Sequence, residues 1–175
     1  MSETKSSDRA SESYKGKVKH LILTIPLLFL IIVIFLYISS LNLSFGVIYI
    51  SFYIATNFFQ AYCCVYQKCP YIGKYCPGIA CLYPASLIAQ LPIYQNMKRT
   101  EKRFNTFVAL AEISLCCFVV FPLFFLYDLG LLYFVGYGVF FLIYAFLFLW
   151  FICPDCAIKN TCPAGIASQK LRKQQ

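Results

Sequence analysis

With 61% hydrophobic residues, 19% aromatics and only 13% charged residues, this 175-residue chain has too little polar surface to coat a soluble globule, which places it in the membrane class. Its net charge of +8 collects at the two ends and in one central stretch, a placement that speaks of membrane orientation and against nucleic acid as a partner. The length makes one domain: an all-α integral membrane protein with four transmembrane helices, each apolar run of about 20 residues being enough to cross a ~30 Å hydrocarbon core.

Residues 1–18 read as a cytosolic tail; the first sixteen, rich in Ser, Glu, Asp and Lys, cannot bury apolar area and are expected to be disordered. The apolar run 21–38 is long and no small-residue cleavage site follows it, so it stays as the first helix rather than leaving as a signal peptide. Residues 19–66 form a first helical hairpin, with spans over 19–39 and 45–66 and Pro26 tolerated in the opening turns. Residues 67–103 are a Cys-rich link carrying Lys68, Lys74, Lys98, Arg99, Lys102 and Arg103. Its apolar stretch 86–97 holds Pro92 and is too short to span, which predicts an interfacial or re-entrant segment. Residues 104–152 form a second hairpin, with spans over 104–126 and 131–152 turning through Asp128 and Gly130. Residues 153–175 are a second Cys-rich, basic tail.

Basic residues before the first span, between the second and third, and after the fourth put both termini and the long link in the cytosol of a plasma or inner membrane. Cys63, Cys64, Cys69, Cys76, Cys81, Cys153, Cys156 and Cys162 then face a reducing compartment, where thiols rather than disulfides are expected. Cys69-Pro70, Lys74 and Cys76-Pro77-Gly78-Ile79-Ala80 follow the second span. Cys153-Pro154, Lys159 and Cys162-Pro163-Ala164-Gly165-Ile166-Ala167 follow the fourth. The likeness suggests a parallel internal repeat, related by an axis along the membrane normal, with a Cys-Pro box ending each half.

The two-residue spacing of Cys153 and Cys156 lets two thiolates reach one metal ion, with Cys162 available as a third ligand; the four-residue spacings Cys64 to Cys69 and Cys76 to Cys81 also suit ligand pairs. Cys69, Cys76, Cys153, Cys156 and Cys162 are therefore the candidate ligands of a shared site, and Cys64 and Cys81 those of a second. The boxes hold no histidine, and an all-sulfur site selects zinc, copper(I) or an iron-sulfur cluster. Lys68, Lys74 and Lys159 are placed to offset the thiolate charge. Four prolines directly follow a cysteine, stiffening the turns that present the sulfurs, and Cys-Pro steps recur at iron-sulfur ligands; the full ferredoxin spacing is absent. The bland alternative is cysteine as a small buried apolar residue, which suits Cys63, Cys116 and Cys117 better than the boxes.

Glu112 is the one acidic residue well inside a span, about 12 Å from the start of the third helix at ~1.5 Å per residue. With Cys116 four residues on, it makes an intramembrane polar stripe that could meet Asn57 or Gln60; the competing reading is a protonated acid hydrogen-bonded to a neighbouring helix. The many Tyr and Phe side chains read as lipid contacts and interface anchors.

Three functions compete. The first is a non-enzymatic membrane subunit that binds zinc, as a structural element docking a protein partner, or an iron-sulfur cluster, as an electron-transfer element. The second is a soft-metal-ion transporter; the pairs Cys63-Cys64 and Cys116-Cys117 resemble those of small bacterial mercury-uptake proteins over the dipeptides alone. The third is a thiol-quinone oxidoreductase, which the orientation disfavours. No hydrolytic or group-transfer constellation is readable, so no catalytic residue is assigned.

Overall fold

The computed structural model describes residues 16–78, 83–160 and 162–173. Cys81 and most of the expected N-terminal tail lie outside them. The described residues are helical with no strand. In chain order they form α1 (Lys17–Leu41), α2 (Leu43–Tyr66), α3 (Tyr83–Ile88), α4 (Pro92–Gln95), α5 (Glu101–Leu129) and α6 (Leu131–Leu147). A π-helical turn over Phe148–Ile152, a 3₁₀ turn over Cys153–Asp155 and α7 (Pro163–Lys173) follow. Four helical segments are long and apolar enough to cross a membrane, Lys17–Leu41, Leu43–Tyr66, Glu101–Leu129 and Leu131–Asp155, and are compatible with an integral membrane protein.

Asn42 alone separates α1 from α2: its extended backbone breaks the helix, and its side chain accepts from the Ser44 amide at 2.9 Å to cap α2. Gly130 breaks α5 from α6 at φ +127°, a conformation that carries no steric cost only for glycine. α1 buries His20, Thr24, Leu27, Ile31, Ile34 and Ile38, one stripe at alternating spacings of four and three. Leu23, Leu30, Phe35 and Tyr37 flank that stripe half-buried, and the opposite face, including Ile22, Phe29 and Leu36, is exposed, as suits contact with lipid.

The central contact is α2 against α5, and it is built from rings. Tyr49 stacks on Phe118 at 4.7 Å, Tyr62 meets Phe107 at 4.5 Å, and Tyr66 stacks on Phe104 at 4.4 Å. Phe52 and Phe45 continue the ladder onto Phe121 and Phe125. The expectation that aromatics serve chiefly as lipid contacts is thus corrected for α2 and α5, where they are the interhelical core.

The stretch 86–97 is not one segment: the chain turns at Ala89–Leu91, and Pro92 opens the separate short helix α4. Both pieces are fastened along α2. The Ala85 amide donates to Asn57 Oδ1 (3.2 Å), the Tyr94 hydroxyl to the Phe58 carbonyl (3.1 Å) and the Tyr62 hydroxyl to the Lys98 carbonyl (2.9 Å). Phe58 lies eight residues before the end of α2, about 12 Å along the helix at ~1.5 Å per residue. The C-terminal tail is ordered as well. Residues 163–173 form α7, whose Arg172 donates to the Trp150 carbonyl at 2.7 Å and lies over its ring at 5.6 Å.

Candidate functional site: a thiol-lined cavity

The end of α2 delivers Cys63 and Cys64, and the chain then turns sharply. The Gln67 and Cys69 amides bond the Cys63 and Cys64 carbonyls at 3.0 Å, and Lys68 takes φ +50° to make the reversal. The loop is then held by the Gly73 amide on the Ser86 carbonyl (3.1 Å) and the Ser86 hydroxyl on the Lys74 carbonyl (3.1 Å). The second Cys segment is a chain of tight turns: Cys156 N–H to Cys153 O, Lys159 N–H to Cys156 O, and Cys162 N–H to Ile158 O, at 3.2, 3.2 and 2.9 Å. α7 closes onto it through Gly165, where a Cβ would collide with the Lys159 carbonyl oxygen. The two segments are tied together by the Ala157 amide donating to the Tyr71 hydroxyl at 3.2 Å, a bond between positions 86 residues apart.

Between them lies a cavity of about 290 Å³ lined by seven cysteines: Cys63, Cys64, Cys69, Cys76, Cys153, Cys156 and Cys162. All five cysteines predicted to share a site are in its wall, and Cys64 of the predicted second site is there too. The described cysteines are free thiols. Cys76 feels Cys69, Cys156 and Cys162, and Cys156 feels Cys69 and Cys162, so Cys76 and Cys156 link the other two sulfurs. Cys153 lies in the same field, near Cys162 and Cys156. Among the described residues, no three His, Cys, Asp or Glu side chains already stand at the convergence of a single-ion site.

The thiols are not alike. Burial first, then neighbouring sulfurs, push Cys76 up to about 12 and Cys156 up to about 11; backbone N–H groups at Gly78 and Ile158 and the Lys159 ammonium pull the other way. Cys69 is held below the ordinary thiol value because the Cys64 thiol donates to its sulfur and the Tyr71 backbone N–H assists. Cys63 spends its thiol within α2, donating to the Phe59 carbonyl at 3.6 Å. Of the three lysines expected to offset thiolate charge, Lys159 lines the cavity; its Nζ donates to the Pro154 carbonyl at 3.0 Å.

The proposed membrane stripe divides. Glu112 and Gln60 both line the cavity, whereas Cys116 is exposed and, with Cys117, stands outside it. Asn57 has a structural task, donating to the Tyr53 carbonyl at 2.9 Å and receiving the Ala85 amide.

His20 is the residue that spacing within the Cys boxes did not reveal. It is 3% exposed, and its Nδ1 accepts from the Tyr75 hydroxyl while Nε2–H donates to the Gly78 carbonyl at 3.3 Å. One side chain of α1 thus grips both sides of Cys76-Pro77. The available signal was the His20 and Thr24 pair, two polar residues four apart at the start of an otherwise apolar helix.

No family model, no curated protein and no solved structure matches the chain.

Proposed function

We propose that this chain is an integral membrane subunit that holds an iron-sulfur cluster through cysteine thiolates at the cytosolic ends of its helices and serves in electron transfer. Its two Cys-Pro boxes would close two helical hairpins arranged as a parallel repeat, with both termini in the cytosol. The observation that carries the reading is the gathering of seven cysteines, from α2, from the loop after it and from the segment after α6, on one cavity of about 290 Å³. A space of that size lined by sulfur suits a cluster, whose four thiolate ligands stand further apart than the ~3.5–4 Å of thiolates around one zinc ion at ~2.3 Å.

The donor set fits such a group. Cys76 and Cys156 each lie in the field of Cys69 and Cys162, Cys153 lies in that of Cys156 and Cys162, and Cys64 steadies Cys69 as a hydrogen-bond donor. Apolar side chains such as Phe104, Phe148 and Ile152 line the same cavity and would limit water there. The bound cluster would supply one-electron chemistry, its potential tuned by burial and by hydrogen bonds to the sulfurs. Lys159, in the cavity wall, would offset part of the negative charge.

The test is metal and acid-labile sulfide analysis, with an absorption spectrum, of protein purified without oxygen. Brown protein with iron and sulfide is expected, with iron lowered in Cys156→Ser and Cys76→Ser and unchanged in Cys117→Ser. Colourless protein holding stoichiometric zinc would keep the thiol site and overturn the electron-transfer role. Full metal content in both box variants would overturn the site.

A further inference from the structure

We propose that the part of the thiol cavity set among the membrane-spanning helices is a binding slot for the ring of a lipid-soluble quinone, held between Gln60 and Glu112. The inference rests on the electron-transfer reading, for which it supplies the membrane partner.

The cavity does not stop at the helix ends. It is continued by Thr56 and Gln60 on α2 and by Val108, Ala111, Glu112 and Leu115 on α5. Glu112 lies eleven residues beyond Glu101, the first residue of α5, about 16 Å along the helix at ~1.5 Å per residue. Its side chain is exposed at the surface of the bundle as well as lining the cavity, and an ionisable group at such depth is costly against lipid unless a ligand or ion path meets it. The Thr56 hydroxyl is already spent on the Phe52 carbonyl at 2.8 Å. Gln60 and Glu112 remain as the polar groups of this half, and neither forms a hydrogen bond with another described residue in the helices around it.

The opposite wall carries an independent mark. The backbone winds into a π-helical turn at Phe148–Ile152, and Phe148, Ile152 and Cys153 line the cavity there. Such turns re-aim side chains and are concentrated at functional sites.

The chemistry selects the ligand class. Apolar walls take a flat ring, the Gln60 amide donates to a quinone carbonyl, and a Glu112 carboxyl oxygen accepts from the hydroxyl of the reduced form. The volume of about 290 Å³ is shared between the thiol end and this half, which leaves room here for one small ring and not for a large headgroup.

The chain contains a single tryptophan, Trp150, within the π-helical turn, so a quinone in the slot would quench its fluorescence. The full-length protein in nanodiscs of neutral phospholipid, titrated with a short-tailed benzoquinone, is expected to show saturable quenching. Gln60→Leu and Glu112→Leu should each weaken binding about fivefold, the loss of one hydrogen bond. Ala111→Phe, which fills the slot, should abolish saturation; Val108→Phe, at a half-buried position, serves if the first variant does not fold.

Quenching that rises without saturation, unaltered by filling the slot, would mean partition into the bilayer and overturn the proposal. So would displacement of the quinone by a medium-chain fatty acid at equal concentration. Iron and sulfide are measured on the same preparation. Iron-loaded protein without saturable quenching removes the slot alone, and saturable quenching in iron-free protein keeps the slot and removes the cluster.

Discussion

Replacing His20 by Ala is expected to free the Cys76 turn while leaving the four long helices folded. The imidazole is 3% exposed and makes two hydrogen bonds to the turn, to the Tyr75 hydroxyl and the Gly78 carbonyl. Each is worth about 1 kcal/mol net, and the half-buried carbonyl stripped of this donor, together with the void left by the ring, raises the total to about 2–4 kcal/mol. At about 1.4 kcal/mol per tenfold, the open population of the turn rises roughly 30- to 1,000-fold. Maleimide labelling of metal-free protein, read peptide by peptide, should show that increase at Cys76. Cys116, already exposed, is the internal reference, and Cys153 reports on the opposite wall. His20→Gln, which retains a donor able to reach the Gly78 carbonyl, should fall between the two. A Cys76 rate within threefold of the unaltered protein would refute the clamp; equal acceleration at Cys76, Cys117 and Cys153 would show that the whole bundle had loosened instead.

Two further outcomes follow from burial and charge. In metal-free protein Cys76 and Cys156, raised to about 12 and about 11 from an ordinary 9.0, should remain thiols at pH 10, whereas Cys69, lowered by the Cys64 thiol, should alkylate at half-maximal rate below pH 9. Because the neutral forms of Cys76 and Cys156 are the ones favoured in the fold, their contribution to stability is complete below about pH 9 and is lost as pH rises through 11 to 12; an apo protein equally stable at pH 8 and pH 11 would contradict this. Tyr49→Phe should stabilise the protein against detergent-induced unfolding by about 1 kcal/mol, because the Tyr49 hydroxyl is buried against Phe118 without a hydrogen-bond partner among the described residues; a destabilised variant would mean that the hydroxyl has one.

The number and approximate ends of the long helices were legible because hydrophobic run length is a direct physical requirement for spanning. Which face of each helix turns inward was not. α1 is apolar on all sides, so the stripe Leu27, Ile31, Ile34 and Ile38 differs from its lipid-facing neighbours in packing and not in polarity. The rings of α2 and α5 hide in the same way, since a phenylalanine facing lipid and one stacked on a tyrosine cost the same in a composition count. α7 was missed for a different reason: it is short and basic, and it is held by Gly165, Arg172 and Trp150 rather than by an apolar face readable from spacing.

The cysteines that would share a cavity were legible because the Cys-Pro spacing is local and both boxes follow long apolar runs. What holds the boxes in place was not, since each tie is long-range: Tyr71 to Ala157, and His20 to the turn at Cys76. These ties nevertheless have a common form. His20, Asn57 and Glu112 are among the few polar residues of these apolar helices, and in the fold each lies at the thiol end or in its cavity: one grips the Cys76 turn, one receives the approach of α3, and one lines the cavity. In a segment surrounded by lipid a polar side chain without a partner is expensive, so it persists where a turn, a backbone amide or a ligand meets it. For a chain this apolar, position along the hydrophobic runs tells where the helices are, and the few interruptions of polarity tell where they have work to do.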